Sequence, residues 1–377
     1  DTVIPRRDTG SLKWDRRSDL DPFWVADMDF VSAPAIIAAL NERVAHGVFG
    51  YPVPHAGLSK ALLAYFDQRH GCTVDADAIV HLGGLVPALS LAGRAFASPG
   101  DAVLTCTPVY PPFLGVHKDS GLDLITVPHV ENDARWCFDW DALAAAVTPQ
   151  SRIFILCNPK NPLWRCFTKE EVIRLAEFCE AHDLVLVSDE IHCDLVLDEE
   201  ETPFFSCLHL PGPLAARTVV LQAPSKTYNI AGLGYSFAVI PDDSLRRKFT
   251  QAKGHILPEI NCLSYFAAEA AYRHCESWRQ DLLAYLRGNR DLIASFVRDE
   301  IPGVIVPPIE ATYLAWLDFR PLGIENPAKL LEEQAGLFLS DGAFFHGPGH
   351  ARLNFGCPRA SLQNALERIR DAVASQA

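Results

Sequence analysis

Reactive and polar side chains follow the short apolar runs in the middle of this 377-residue sequence. They are Tyr110 after DAVLTC (101–106), Asn158 after RIFILC (152–157), Asp189 at the end of LVLVSD (184–189) and Lys226 after TVVLQA (218–223). Ligands of open α/β sheets bind at the carboxyl ends of the strands. We therefore expect an aromatic ring, an amide, a carboxylate and an amine to lie together at one edge of a sheet.

A further element could hold an anion. Gly83 and Gly84 precede the helical pattern of residues 85–96, and the free N–H groups of a helix N-terminus attract phosphate. With the four strand-end groups, this set matches the needs of pyridoxal 5′-phosphate. The lysine would bond to the aldehyde, the carboxylate would keep the pyridine nitrogen protonated, the amide would donate to the ring oxygen, and the aromatic side chain would pack on the ring.

Each of these features alone has an ordinary structural explanation. An isolated lysine usually points to solvent, a Gly-Gly pair usually makes a tight turn, and an aspartate at a strand end is usually a cap or a surface group. Tyr110 alone would more often belong to a core. Along the chain, however, all five features occur together: a phosphate-binding helix N-terminus, then Tyr, Asn, Asp and Lys. This joint occurrence in this order favours a cofactor site over a chance arrangement.

The elements that would position these groups predict an α/β fold. The four apolar runs read as strands buried on both faces, and Thr168 with Glu171 forms a capping box at the start of a helix over 168–182. Strand, helix and strand make a crossover unit of a mostly parallel sheet. We predict a large domain at 47–265 and a small domain from 1–46 and 266–377. The small domain would include two strands around a Pro-rich bend at 302–319 and a final helix over 362–373.

Composition excludes several classes of protein. The formal net charge is −14, which disfavours nucleic acid as a partner. The chain has no run of the roughly 18 apolar residues that a membrane span needs, and its first residues lack a secretion signal, so we expect a cytoplasmic protein. The 11 cysteines show no CxxC pairs. They are expected to be reduced thiols, with no metal site.

Nine segments resemble the fold-type I pyridoxal-phosphate-dependent enzymes, the aspartate-aminotransferase-like superfamily. Within it they are similar to the MalY/PatB branch of cystathionine β-lyases, or cysteine C–S lyases. The segments are KWD (13–15), WVADMDF (24–30), GYP (50–52), GGLVPAL (83–89), PVYPPF (108–113), CNPKNP (157–162), SDEIHCDLV (188–196), APSKTYNIAGL (223–233) and RLNFGCPR (352–359). The resemblance implies a seven-stranded, mostly parallel sheet flanked by helices, a small α+β domain, and a homodimer.

The resemblance also implies roles for individual residues. Lys226 would be the covalent lysine and proton shuttle, Asp189 the partner of the pyridine nitrogen, and Tyr110 the ring that stacks on the cofactor. The other cofactor contacts would be Asn158, His192, Ser225, the amides of Gly84, Leu85 and Val86, and Tyr51 reaching the neighbouring subunit. Arg352 would hold the α-carboxylate of an amino-acid substrate, and Asp27, within the motif WVADMDF, would be a second substrate contact.

Three positions depart from the family pattern. Lys160 stands in NPKNP where histidine is frequent, Trp164 where glycine is frequent, and Gly234 where many aminotransferases carry a phosphate-binding arginine. We expect the protein to cleave the Cβ–S bond of an S-substituted L-cysteine, giving a thiol, pyruvate and ammonia, and the departures suggest a large substituent. Alternatives are an aminotransferase, a decarboxylating oxidative deaminase, or a regulatory protein with vestigial catalysis.

Overall fold

The computed structural model describes residues 2–132, 135–255 and 257–376. Its strands are β1 (Asp21–Pro22), β2 (Ile79–Leu82), β3 (Ala102–Thr107), β4 (Asp123–Pro128), β5 (Val130–Asn132), β6 (Arg135–Cys137), β7 (Ser151–Cys157), β8 (Val185–Asp189), β9 (Thr218–Gln222), β10 (Ser236–Val239), β11 (Leu314–Asp318), β12 (Leu337–Phe338), β13 (Ser340–Asp341) and β14 (His350–Asn354).

Its helices are α1 (Leu12–Asp15), α2 (Pro34–His46), α3 (Ala56–Tyr65), α4 (Leu85–Phe96), α5 (Pro111–Ser120), α6 (Trp140–Ala146), α7 (Lys169–Ala181), α8 (Gly212–Ala215), α9 (Asp243–Lys253), α10 (Cys262–His274), α11 (Glu276–Glu300), α12 (Pro327–Leu330) and α13 (Arg359–Ala374).

Seven strands form the large sheet, in the order β2-β10-β9-β8-β7-β3-β4. The contacts between β9, β8, β7, β3 and β4 are all parallel, and β10 runs antiparallel to both of its neighbours. The prediction of a seven-stranded, mostly parallel sheet is confirmed. The four apolar runs of the sequence correspond to β3, β7, β8 and β9.

Burial on both faces explains why these strands are apolar without interruption. Along β7, Ile153 and Ile155 face one core cluster, while Phe154 and Leu156 face the other. A parallel sheet covered by helices on both sides has no solvated face, so neither set of alternating side chains can be polar. Only the residues at the strand ends are free to be charged.

The crossover helix α7 begins at the predicted capping box. The Glu171 amide donates to Thr168 Oγ1 at 3.3 Å, and the Thr168 amide donates to Glu171 Oε2 at 2.8 Å. These two bonds satisfy helix N–H groups that have no partner within the helix. The helix connects β7 to the parallel strand β8, which confirms the predicted crossover unit.

Segments from both ends of the chain build a second, smaller core. β11, β14 and β13 form an antiparallel sheet, and β1 pairs in parallel with β12, so that Asp21 lies opposite Leu337. The last helix, α13, contains the predicted apolar stripe, and its Leu362, Leu366 and Ile369 are fully buried. The division at residues 47 and 265 stays a prediction.

The expected pair of strands in residues 302–319 is wrong, because this segment contains only β11. Its first half makes an isolated bridge in which the amides of Ile305 and Asp318 donate to each other's carbonyl oxygens at 3.0 and 2.9 Å. Pro307 and Pro308 follow after Val306, and proline has no N–H with which to continue a ladder.

The cysteines are all free, and nine of them are buried. Among the described residues, no helix combines the length and the apolar character that crossing a bilayer requires.

Gly342, which precedes β14, is closely surrounded by backbone atoms. At Gly342, an added Cβ would come within 2.5 Å of the His350 carbonyl oxygen and would also meet that of Gly347. We expect Gly342→Ala to lower the free energy of unfolding by about 1–3 kcal/mol, because backbone atoms cannot move aside easily. Urea unfolding would measure it.

Gly115→Ala is the control, since Gly115 lies within α5 and an added Cβ meets nothing within 4 Å. It should raise the free energy of unfolding by about 0.5–1 kcal/mol. Equal urea midpoints for Gly342→Ala and the wild type would contradict the predicted clash.

Candidate active site

Two adjoining cavities lie at the carboxyl edge of the large sheet. The inner cavity, of about 240 Å³, is lined by many of the predicted cofactor residues, namely Gly84, Leu85, Val86, Tyr110, Asp189, His192, Ser225 and Lys226. The outer cavity, of about 520 Å³, is lined in part by Arg352 from the small sheet. Ala26, Tyr110 and Lys226 border both cavities, so the two spaces meet at the lysine.

Lys226 points inward and not to bulk solvent. Its Nζ donates to the carbonyl oxygen of Ala26 at 2.7 Å. The pKa of Lys226 is lowered from its ordinary value of 10.5 to about 8, because burial and, to a lesser degree, the positive charge of Arg352 outweigh the opposing charges of Asp27 and Asp189. An amine with this pKa is partly neutral near physiological pH, as a nucleophile or a base must be.

Asp189 is a buried carboxyl group at the end of β8. One of its oxygens accepts a hydrogen bond from the Ile191 amide at 3.0 Å. Burial raises the pKa of Asp189 to about 7; the negative charge of Glu190 adds to this increase, and Lys226 works against it. A cationic group placed beside Asp189 would return it to the ionised form.

Asn158 and His192 offer polar atoms that nothing in the described part of the chain satisfies. Asn158 Oδ1 accepts from the Phe167 amide at 3.0 Å, which leaves its buried Nδ2 without a partner. The Nδ1 atom of His192 is also buried and unpartnered. Burial lowers the pKa of His192 to about 3, so its ring is neutral. Buried polar groups are normally satisfied, so these two atoms indicate a ligand.

The N-terminus of α4 faces the inner cavity. Gly84 caps this 12-residue helix without a side-chain bond, and the N-terminal residues Leu85 and Val86 line the cavity. Gly234 lies opposite with φ of 68°, and an added Cβ would be 3.3 Å from the Gly83 carbonyl oxygen. A side chain at 234 would be strained and crowded, which explains why this site has glycine there.

Arg352 is a buried guanidinium group without a carboxylate partner among the residues described. It donates to Asn161 Oδ1 at 2.9 Å, to the Trp24 carbonyl oxygen at 2.7 Å and to Ser340 Oγ at 3.2 Å, and its Nε has no acceptor. Burial lowers its pKa to about 10. Buried charges are normally paired, so Arg352 is suited to an anionic ligand.

Three of the predicted residues line neither cavity, namely Asn158, Tyr51 and Asp27. Tyr51 is 98% exposed in this single chain. Asp27 forms an ion pair with Arg6 at 2.8 Å, and its charge raises the pKa of Lys226. The expected contacts of Tyr51 with a neighbouring subunit and of Asp27 with a substrate stay predictions.

Lys160 and Trp164, two of the residues that depart from the family pattern, line neither cavity. Trp164 has a φ of 50°, the left-handed conformation that glycine favours, and its side chain is buried in the core of the small sheet. Lys160 is buried and donates to the Cys106 carbonyl oxygen at 2.7 Å. Neither side chain can therefore contact a ligand in the two cavities directly.

Three contributors to the site were not predicted. The Ala26 carbonyl oxygen accepts from Lys226 and also from the Tyr313 hydroxyl at 3.0 Å. Asn161 supports Arg352. Asn161 lies within the quoted motif CNPKNP, so that motif could have indicated it. Tyr313 sits in an apolar strand-like run, and a backbone carbonyl carries no signal in the residue type.

A family model describes the class of protein that this fold and site define. The model for aminotransferase class I and II matches residues 25–369, and the chain belongs to that family.

Individual relatives show which members of this family the chain resembles. The chain is 38% identical to cystathionine beta-lyase PatB of Bacillus subtilis, over 98% of both chains. It is 32% identical to the protein MalY of Escherichia coli, over 98% of this chain and 97% of MalY. It also resembles the structure of cystalysin from Treponema denticola, which contains pyridoxal 5′-phosphate, with a TM-score of 0.94, 32% identity, and coverage of 99% and 98% of the two chains. The predicted resemblance to the MalY/PatB branch is confirmed.

The environment of Lys226 predicts its titration in the cofactor-free protein. Since burial disfavours the charged amine, Lys226 should lose its proton with a midpoint near pH 8, below the ordinary value of 10.5. Nuclear magnetic resonance of the reductively ¹³C-methylated protein would follow this titration, and Lys226→Arg would identify the signal by its loss. A Lys226 signal that moves only above pH 10, with the surface lysines, would contradict the described environment.

Tyr313→Phe should raise the pKa of Lys226. The hydroxyl of Tyr313 presents its hydrogen to the same oxygen as the ammonium group, and its removal leaves that oxygen to Lys226. Losing this bond should also lower the free energy of unfolding by about 0.5–1.5 kcal/mol. The same titration and urea unfolding measure both effects.

Tyr65→Phe is the matched control, because the Tyr65 hydroxyl donates to Asp194 and not to Ala26. It should leave the pKa of Lys226 unchanged. An equal change in both variants would mean that the effect is not local.

Proposed function

We propose that this protein is a pyridoxal-phosphate-dependent lyase that cleaves the Cβ–S bond of an S-substituted L-cysteine. One observation carries the proposal: a lysine amine with a lowered pKa borders the same cavity as a buried arginine that has no carboxylate partner among the described residues. Together they suit the amine end and the carboxylate end of an amino acid. The similarity to cystathionine beta-lyase PatB supports the reaction class.

The residues at and beside the inner cavity fit the cofactor. The open N-terminus of α4 with Ser225 suits its phosphate, and the orphaned Nδ2 of Asn158 suits its ring oxygen. Asp189 would face the pyridine nitrogen, Tyr110 the ring, and the unpartnered Nδ1 of His192 a further polar atom of the ligand. When bound, the cofactor supplies an aldehyde carbon for covalent attachment and a ring that accepts electrons from Cα.

The protein's own groups would then act as follows. Arg352 binds the α-carboxylate in two-pronged fashion and fixes the orientation of Cα. Lys226, held near the Ala26 carbonyl, removes the proton from Cα as a general base. Asp189 becomes ionised beside a protonated nitrogen and stabilises that charge.

The reaction balances as a hydrolysis. The conjugate R–S–CH₂–CH(NH₃⁺)–COO⁻ and one water give the thiol R–SH, pyruvate and ammonium. The electron pair of the Cα–H bond passes towards Cβ, and the pair of the Cβ–S bond leaves with sulfur.

The protein is also proposed to act as a homodimer in the cytoplasm. Apolar side chains of residues 44–53 are unusually exposed in the single chain, at Val44, Val48, Phe49, Tyr51 and Val53. Several exposed apolar side chains within one short segment are typical of an interface. In the proposed dimer Tyr51 would reach the phosphate in the neighbouring site.

The test measures thiol, pyruvate, pyridoxamine phosphate and carbon dioxide in the same reaction. The purified holoenzyme should release equal amounts of thiol and pyruvate from S-substituted cysteines. Lys226→Ala should lower kcat by about 10²–10⁴-fold, because it removes the base. Arg352→Lys should raise KM, because a lysine loses the two-pronged contact. Lys118→Ala, at an exposed lysine, serves as the control and should leave the kinetics unchanged.

Other product patterns would identify the rival functions. Pyridoxamine phosphate without thiol would indicate an aminotransferase, and carbon dioxide with oxygen uptake would indicate oxidative decarboxylation. A cofactor-loaded protein without turnover on any conjugate would favour a regulatory role.

A further inference from the structure

The outer cavity leaves a large space for the sulfur substituent. Under the proposed function, Lys226 and Arg352 fix the amino-acid end of the substrate, and the rest of the cavity extends from them towards β12, β13 and the turn Gly342–Phe345. Its volume of about 520 Å³ is within the range of pockets that enclose ligands much larger than a methyl group.

Aromatic side chains line this space from several directions. Trp24 and Phe338 lie with their ring centroids 5.0 Å apart, and the guanidinium of Arg352 lies 4.8 Å from the Phe345 ring. Phe344 is 69% exposed at the rim. Rings in such positions offer edges and faces to another ring, and aromatic pairs gain more than their buried area alone.

Besides Lys226 and Arg352, four charged side chains line the outer cavity, and each already has a contact within the protein. Arg16 lies over the ring of Trp24 at 5.1 Å, and Glu332 forms an ion pair with Arg17 at 3.1 Å. Asp341 accepts from the Ala343 amide at 2.9 Å, and Lys329 lies 3.8 Å from Glu333. A charged substituent would have to compete for these groups, whereas an uncharged ring would not.

We propose that the outer cavity selects L-cysteine conjugates whose sulfur bears an uncharged aromatic group, with Phe344 and Phe338 as the specificity-determining contacts. This inference rests on the proposed lyase function and names its substrate class. Phe344 has the clearer role, because its exposed ring would close over the substituent from the rim of the cavity.

The test compares three substrates with the holoenzyme: S-benzyl-L-cysteine, S-methyl-L-cysteine and L-cystathionine, whose distal group is charged. Pyruvate formation gives kcat/KM for each. We expect S-benzyl-L-cysteine to be preferred by about ten-fold or more over both others, the scale on which apolar pockets discriminate.

Variants at the rim separate a ring contact from a general effect. Phe344→Ala should lower kcat/KM for the benzyl substrate by about ten-fold, mainly through KM, and leave the methyl substrate unchanged. Phe344→Leu should keep only part of the preference, and Phe344→Tyr should keep most of it. Val130→Ala, at an exposed apolar side chain that lines neither cavity, should change nothing.

Several results would overturn the inference while leaving the lyase function intact. They are equal kcat/KM for the methyl and benzyl substrates, a preference for L-cystathionine, or an equal loss on all substrates in Phe344→Ala. A changed molecular mass of Phe344→Ala with an unchanged substrate preference would instead make Phe344 a subunit contact. Release of neither thiol nor pyruvate from any substrate by cofactor-loaded protein would overturn the lyase function as well.

Discussion

The site depends on the main-chain carbonyls of one short segment, residues 24–26. The carbonyl of Trp24 accepts from Arg352, that of Val25 from Asn354 Nδ2, and that of Ala26 from Lys226 and Tyr313. The large sheet supplies the lysine, while the small sheet supplies Arg352 and Asn354. This segment is the piece of backbone that sets the distance between the amine and the guanidinium group.

An asparagine in the lysine turn binds the backbone that continues from this segment. Asn229, three residues after Lys226, exchanges two hydrogen bonds of 2.9 Å with the backbone of Met28 and donates to the Phe30 carbonyl oxygen at 2.8 Å. Its φ of 56° is a conformation that asparagine tolerates better than most residues. The turn that carries the lysine is therefore also bonded to residues 28 and 30, which directly continue the segment that accepts the lysine's hydrogen bond.

Much of this arrangement could be read from the sequence, for a physical reason. Strands buried on both faces must be apolar throughout, so a polar residue at the end of each run, such as Asp189 or Asn158, stands out. The contribution of Ala26 could not be found in this way, because every residue has a carbonyl group. Nor could the single strand in 302–319 be separated from two, since Pro307 and Pro308 fit either a bend between strands or the end of pairing. Trp164 suggested a change in the substrate pocket, but its burial in the small core depends on tertiary packing that local sequence does not reveal.

The pairing of β1 with β12 joins residues 21–22 to residues 337–338, and the hydrogen bond from Arg352 to Trp24 spans 328 positions of sequence. During synthesis on the ribosome, the large sheet and its lysine emerge long before Arg352 does. The large sheet that carries the reactive amine is therefore made before Arg352, the group proposed to bind the substrate. The proposed contact with a substrate carboxylate can form only after residue 352 has left the ribosome and has closed on Trp24, which is made 328 positions earlier.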